Sequence, residues 1–78
     1  MSVFSQRLIE LREGRKLSQQ QVADQVGVVV RAYQRYEYGQ REPQMSVLVR
    51  IADLYDISLD YLTGRTDCPG KFNGEENT

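Results

Sequence analysis

The 78-residue sequence contains no histidine, no tryptophan and a single cysteine, Cys68. One cysteine cannot form an internal disulfide, and the absence of histidine removes the usual nitrogen ligands of a zinc site. Histidine is also the commonest general base of enzymes and the usual partner of a nucleophilic serine or cysteine. The composition therefore predicts no catalytic residue, no metal site and no cofactor, and Cys68 is expected to be inert.

Long apolar runs are also missing, since none exceeds three residues, as in the valines at residues 28–30. A membrane span needs about 20 apolar residues, and a signal peptide needs an apolar core of at least about seven. The sequence thus predicts no membrane association and a cytoplasmic location. A chain of this length encloses one modest core, so we expect a single domain with no separate effector-sensing unit and no evident small-molecule ligand.

The net charge of −1 gives no general excess of positive charge for binding nucleic acid. The charges are nevertheless segregated. Residues 12–41 contain six cationic and three anionic side chains, whereas residues 56–78 contain two cationic and five anionic ones. Such a distribution steers a polyanion toward one face of a protein, and it favours a DNA partner for the first of these segments.

Three helical patterns occupy the first half of the chain. Apolar residues recur at helical spacing behind Ser2, which predicts a helix over residues 3–14. Ser18 is a favourable N-cap for a second helix that Gly27 ends, and a third helical segment follows over about residues 29–38, up to Gly39. Two short helices joined by a tight turn are typical of a helix-turn-helix unit.

Two further helices are predicted after the loop at residues 40–43. Ser46 is expected to cap the fourth and Asp56 to end it, while Ser58 starts a short fifth helix that runs to Gly64. The fold class is therefore an all-α, compact five-helix bundle over residues 1–64. Residues 65–78 are polar with an acidic end, and they are predicted to form a flexible acidic tail.

The third helix has two chemically different faces. Tyr33 and Tyr36 share one face and are expected to pack in the core. The opposite face carries Arg31, Gln34 and Arg35, and these side chains can hydrogen-bond base edges in a major groove. Tyr38, at the end of the same helix, is placed to donate its hydroxyl to a phosphate. The residues alone leave open whether the basic stripe reads DNA or is simply a solvated helix surface.

Several motifs in register make the sequence resemble the phage repressor and Cro family of helix-turn-helix DNA-binding domains. They are LSQQQVA at residues 17–23, GV at 27–28, YEYG at 36–39, IA at 51–52 and ISLDYL at 57–62. The resemblance implies a five-helix domain that inserts its third helix into the major groove. It also implies base contacts by Val30, Arg31 and Arg35, with Gln34 flanking them.

The same resemblance implies further roles. Gln19, with Ser18 at the start of the second helix, contacts a DNA phosphate, and Arg41 contacts the DNA backbone or minor groove. Arg12 and Glu37 form a structural salt bridge between the first and third helices. The sequence departs from the family where Val29 and Val30 replace a serine or threonine cap and a polar base contact.

These observations predict a sequence-specific transcriptional regulator of double-stranded DNA, acting as a repressor and as a homodimer on an inverted repeat. The predicted dimer interface comprises Ile57, Leu59 and Tyr61, although these residues could equally complete the core of the monomer. A second possibility is a protein-binding module with the same fold, such as an antitoxin-like partner or an anti-repressor.

Overall fold

The computed structural model describes residues 2–70, and its secondary structure over that range is entirely helical. The prediction of an all-α fold with five helices is confirmed. The helices are α1 (Val3–Gly14), α2 (Gln19–Val26), α3 (Val30–Glu37), α4 (Met45–Tyr55) and α5 (Leu59–Leu62).

Most helix ends lie where the sequence places them. The Ser18 side chain accepts a hydrogen bond from the Gln21 amide, and the Gln21 side chain accepts one from the Ser18 amide, so a capping box starts α2. Asp56 ends α4 in the left-handed conformation, with a φ of 55°. Ser58 caps α5 by accepting from the Tyr61 amide. Side-chain capping and left-handed turns thus set these boundaries locally.

The predicted start of α4 is wrong. The helix begins at Met45 behind Gln44, rather than behind Ser46, and the amides of Val47 and Leu48 both donate to the Gln44 carbonyl at 3.0 Å. The Val47 side chain is only 8% exposed. The earlier start places Val47 within the first turn and against the core, so tertiary packing decides the boundary against the better capping residue.

The core lies between the two tyrosines of α3 and the apolar faces of the other helices. Tyr33 and Tyr36 are buried, as predicted, and their rings meet edge to face with centroids 6.4 Å apart. A further link joins α1 to the end of α3, because the buried Ser5 hydroxyl donates to the Tyr36 carbonyl at 3.0 Å. The other buried apolar residues are Leu8, Val22, Ala23, Val26, Val47, Ile51, Ala52, Tyr55, Ile57 and Leu62.

Arg15 and Arg50 bind the C-terminal carbonyls of helices other than their own. Arg15, at the end of α1, donates to the carbonyls of Leu54 and Tyr55 at 3.0 and 3.2 Å. Arg50 of α4 donates to the Val26 carbonyl of α2 at 3.2 Å. The last carbonyls of a helix have no partner within it and carry partial negative charge. The two guanidinium groups therefore connect helices while satisfying their ends.

Arg7 of α1 holds the segment that follows α5. It donates to the Thr66 carbonyl at 2.6 Å and to the Asp67 carboxylate at 2.8 Å, and its guanidinium lies 4.1 Å from the centroid of the Tyr61 ring. The first residues after the predicted domain end at 64 therefore contact α1. The flexible tail stays a prediction, and residues 71–78 lie outside the described residues.

Candidate nucleic-acid interface

A tight turn connects α2 to α3 and sets the angle between them. Gly27 adopts a φ of 79°, and the amides of Gly27 and Val28 both donate to the Ala23 carbonyl, at 2.9 and 3.0 Å. A Cβ atom at Gly27 would lie 3.0 Å from Arg50 Nη1, so the position is constrained by space as well as by conformation. This turn produces the helix-turn-helix arrangement that the sequence predicts.

An ion pair fixes the end of α3 to α1. Arg12 Nε donates to Glu37 Oε2 at 2.6 Å, and Arg12 Nη2 donates to Glu37 Oε1 at 3.2 Å. Arg12 Nη1 also donates to the Leu17 carbonyl at 3.0 Å, just before α2. The structure thus brings together the two residues of the predicted salt bridge, in a two-pronged geometry that restrains both distance and angle.

The environment of Glu37 keeps its carboxyl group ionised. Burial alone would raise its pKa, but the hydrogen bonds donated by Arg12 and Gln19 outweigh that effect and hold the pKa below its ordinary value. The hydrogen bond to Glu37 in turn raises the pKa of Arg12. Burial, together with the nearby Glu37 charge, raises the pKa of the Tyr33 hydroxyl, so the phenol stays neutral. Both shifts favour the charged forms, so the pair acts as a charged structural brace.

Gln19 and Gln34 extend this brace toward the outer surface of α3. Gln19 Nε2 donates to Glu37 Oε1 at 3.0 Å, and Gln34 Nε2 donates to Gln19 Oε1 at 3.1 Å. Both glutamines are half-buried. Gln34 therefore turns toward the start of α2, and base contact by Gln34 stays a prediction.

The other polar side chains predicted to contact DNA from α3 and from the loop after it are exposed. The side chains of Arg31, Arg35 and Arg41 are exposed and make no hydrogen bond or ion pair within residues 2–70. Tyr38 is 58% exposed at the end of α3. Their side chains are free to reach a ligand, whereas Val30 is half-buried against the core and offers only part of its apolar surface.

The start of α3 has free backbone donors. Its N-cap is Val29, which makes no side-chain capping hydrogen bond and is 71% exposed. The first turn of a helix has amide groups without intrahelical acceptors, and a capping side chain normally satisfies one of them. At α3 the N-cap side chain supplies no acceptor for these amides.

Cationic side chains divide into two groups. Within residues 2–70, five arginines bind carbonyls or carboxylates of the protein: Arg7, Arg12, Arg15, Arg50 and Arg65. Four cations do not, and they are Lys16, Arg31, Arg35 and Arg41. Three of these four lie on α3 and in the loop after it, so the unpaired positive charge is concentrated there.

The structural roles of Arg7, Arg15 and Arg50 are not predicted from the sequence. Their partners are carbonyls 24 to 59 residues away along the chain. A backbone carbonyl leaves no mark in the sequence, so no local pattern distinguishes these arginines from those that stay exposed.

The residues of the predicted dimer interface differ in accessibility. Ile57 is 5% exposed and belongs to the monomer core, whereas Leu59 and Tyr61 are half-buried. Ile57 and Leu59 line a shallow, largely apolar groove with Val49 and Ala52 of α4. Dimerisation through this face stays a prediction.

Other kinds of site are missing from the part of the chain that the structure describes. No helix in residues 2–70 is long and apolar enough to span a bilayer. The same residues contain no group of three or more acidic or cysteine side chains arranged to hold a metal ion.

Comparison with known proteins identifies the class. Residues 8–62 match the helix-turn-helix family model. The chain is 40% identical over 67 residues to the uncharacterized HTH-type transcriptional regulator YobD of Bacillus subtilis, covering 86% of this chain and 60% of that protein. It is 42% identical over 62 residues to the cryptic phage CTXphi transcriptional repressor RstR of Vibrio cholerae, covering 80% and 55%.

A solved structure agrees with these relatives. The crystal structure of the P22 c2 repressor in complex with a synthetic operator matches with a TM-score of 0.74 at 26% identity, covering 80% of this chain and 94% of that one. The chain belongs to the helix-turn-helix family, and the relatives named here are a transcriptional regulator, a phage transcriptional repressor and a repressor protein. The resemblance to the phage repressor and Cro family is confirmed. The chain spans little more than half the length of the two curated relatives named above.

Proposed function

We propose that this chain binds duplex DNA in a sequence-specific manner and regulates transcription, with α3 inserted into the major groove. The observation that carries the proposal is the cluster of unpaired, exposed arginines on α3 and its following loop, Arg31, Arg35 and Arg41. A protein that neutralises phosphates and reads guanine edges needs cations that the fold itself does not use.

Arg31 and Arg35 are the proposed base-reading residues. They lie one turn apart on the exposed face of α3, and a guanidinium can donate two hydrogen bonds to the O6 and N7 atoms of guanine. Val30 precedes them and adds apolar contact, for example with a thymine methyl group. The uncapped first turn of α3 supports a close approach to DNA, because the N-cap side chain supplies no acceptor for its amides.

Ser18, Gln19, Tyr38 and Arg41 are the proposed phosphate contacts. Ser18 and Gln19 lie at the start of α2, where free amides and the helix dipole favour an anion. Tyr38 and Arg41 follow the last residue of α3 and are exposed. Contacts from the start of α2 and from the segment after α3 would fix the register of α3 on the duplex.

The regulator is proposed to act in the cytoplasm as a homodimeric repressor on an inverted repeat. One helix-turn-helix unit reads few base pairs, and pairing two units about one helical turn of DNA apart supplies the missing specificity. The groove lined by Ile57 and Leu59 supports a dimer contact on the α4–α5 side. Occupying a promoter is sufficient for repression.

Selection of bound fragments from random duplex DNA tests the proposal. We expect enrichment of a symmetric pair of half-sites, and an affinity that falls steeply as the salt concentration rises. The variant Arg31→Ala/Arg35→Ala should lose the enriched sequence, whereas Arg65→Ala, which removes an exposed arginine paired with Asp60, should retain it. Absence of DNA binding at low salt would instead favour a protein-binding module.

A further inference from the structure

Two residues of α3 bracket the first side chain of α2. Gln34 and Glu37 lie three positions apart on one face of α3, and the Gln19 amide lies between them, bonded to Gln34 through its oxygen and to Glu37 through its nitrogen. With Arg12, the four side chains form a continuous relay from α1 to the outer surface of α3, defined here as Arg12–Glu37–Gln19–Gln34.

The direction of every amide in this relay follows from its charged end. An ionised carboxylate only accepts hydrogen bonds, so Gln19 must turn its Nε2 toward Glu37. That orientation points Gln19 Oε1 toward Gln34, which must then supply its own Nε2. The Arg12–Glu37 ion pair thus determines which atom each glutamine presents to its neighbour.

We infer that Gln34 is a positioning residue, which orients the phosphate-contacting Gln19 instead of reading a base. This inference rests on the proposed function. A side-chain amide has two N–H donors, and Gln19 uses one for Glu37, so its second N–H is the group left for a phosphate oxygen. Gln34 holds the other end of the Gln19 amide, and so fixes where that N–H points.

The competing role for Gln34 is a base contact. A bidentate contact with adenine requires an amide whose donor and acceptor both face the base edge. The relay holds the Gln34 amide against the start of α2 instead, at 3.1 Å from Gln19 Oε1. The two roles differ in a measurable way, because a positioning residue affects all DNA sequences alike and a base contact affects one position of the site.

The relay is first tested without DNA. Side-chain amide signals of Gln34 are followed by NMR in the unaltered protein, in Gln19→Met and in Gln20→Met. Gln20 is the matched control, because it lies beside Gln19 on α2 but its amide donates to Asp24. We expect Gln19→Met to shift the Gln34 amide signals and Gln20→Met to leave them in place. Unchanged Gln34 signals in Gln19→Met would overturn the inference.

DNA affinity tests the positioning role. Dissociation constants are measured for Gln19→Met, Gln34→Met and the double variant on the selected site and its single-base variants. We expect Gln34→Met to weaken binding to every sequence by the same factor, about threefold to tenfold, which is the usual range for one hydrogen bond. In the Gln19→Met background, Gln34→Met should add little, because the residue it positions is already gone.

Two outcomes of that measurement contradict the inference: a changed base preference at one position in Gln34→Met, or losses that multiply independently in the double variant. Failure of the unaltered protein to bind any DNA would overturn the proposed function instead, and the NMR comparison would then decide whether the relay exists.

Discussion

The arginines that bind groups of the protein and the exposed arginines of α3 carry the same guanidinium group but serve different purposes. Arg7, Arg12, Arg15 and Arg50 donate to carbonyls or carboxylates of the protein, and all four connect one helix to another. Arg31 and Arg35 make no such contact within residues 2–70. The comparison shows that positive charge in this small domain is divided between holding helices together and remaining available to a ligand.

The division also explains why a chain of net charge −1 is suited to a polyanion. Charges that are paired within the fold contribute little to the field outside it, whereas unpaired ones on one surface contribute most. The net charge of the whole chain is therefore a poor guide to its ligand, and the location of the unpaired cations is a better one.

The largest expected effect comes from breaking the Arg12–Glu37 pair. Arg12→Met leaves a carboxylate that is only 2% exposed without its cation, and we expect a loss of about 3–5 kcal/mol in the free energy of unfolding. Urea denaturation followed by circular dichroism measures the change. The control is Arg12→Met/Glu37→Met, which removes both charges and should recover part of the stability. A double variant as unstable as the single one would show that Arg12 acts mainly through packing.

Replacing the exposed arginines of α3 should weaken DNA binding and leave the stability of the fold nearly unchanged. Arg31→Ala and Arg35→Ala are each expected to cost about 1–3 kcal/mol in binding to the preferred DNA site. Their effect on unfolding should stay within about 0.5 kcal/mol, as is usual for surface substitutions. Paired measurements of dissociation constant and unfolding free energy test both statements. Equal losses on all sequences would mean that these side chains touch only phosphate.

The variant Arg35→Lys sharpens this test. Lysine keeps the charge but loses the planar, two-pronged donor geometry. We expect Arg35→Lys to retain binding to unrelated DNA and to lose preference at one base pair. Retained preference would indicate that charge alone explains the role of Arg35.

A moderate effect is expected at the junction of α4 and α2. Arg50→Met removes the hydrogen bond to the Val26 carbonyl and the favourable interaction with the end of α2, at a cost of about 1 kcal/mol in unfolding free energy. The matched control is Arg65→Met. The Arg65 side chain is 79% exposed, and its Nε atom lies as far as 3.9 Å from the carboxylate of its partner Asp60. Since exposed pairs stabilise little, a control loss as large as that of Arg50→Met would contradict the assigned role.

The smallest effect is expected in the loop after α3. Arg41→Ala should weaken binding to all DNA sequences alike and reduce the slope of log affinity against log salt by about one. Dissociation constants at several salt concentrations measure that slope. An unchanged slope would show that Arg41 does not contact phosphate.

Much of the fold follows from local signals in the sequence. Ser18 and Ser58 cap helices, Gly27 ends one, and Tyr33 and Tyr36 are buried where the helical period places them. These features depend on residues a few positions apart, so a single sequence contains them. The start of α4 does not follow in this way, because Val47 must reach a core built by distant helices.

The site is less predictable than the fold. The pairing of Arg12 with Glu37 was expected only from the family resemblance, since the two residues are separated by 25 positions. Helical spacing places Gln34 beside Arg31 and Arg35, but it cannot give the direction of a long side chain, and the structure turns Gln34 toward Gln19. Partners that come from another helix decide these orientations.

The free side chains of α3 have a consequence for how such a protein changes over generations. Arg31 and Arg35 make no hydrogen bond or ion pair with the rest of residues 2–70, so replacing them disturbs no polar contact of the fold. Mutations at these two positions are expected to cost little stability, whereas mutations at Arg12 or Glu37 cost far more. Under the proposed function, a duplicated copy would therefore acquire a new target sequence through a few surface substitutions, on a scaffold that is inherited unchanged.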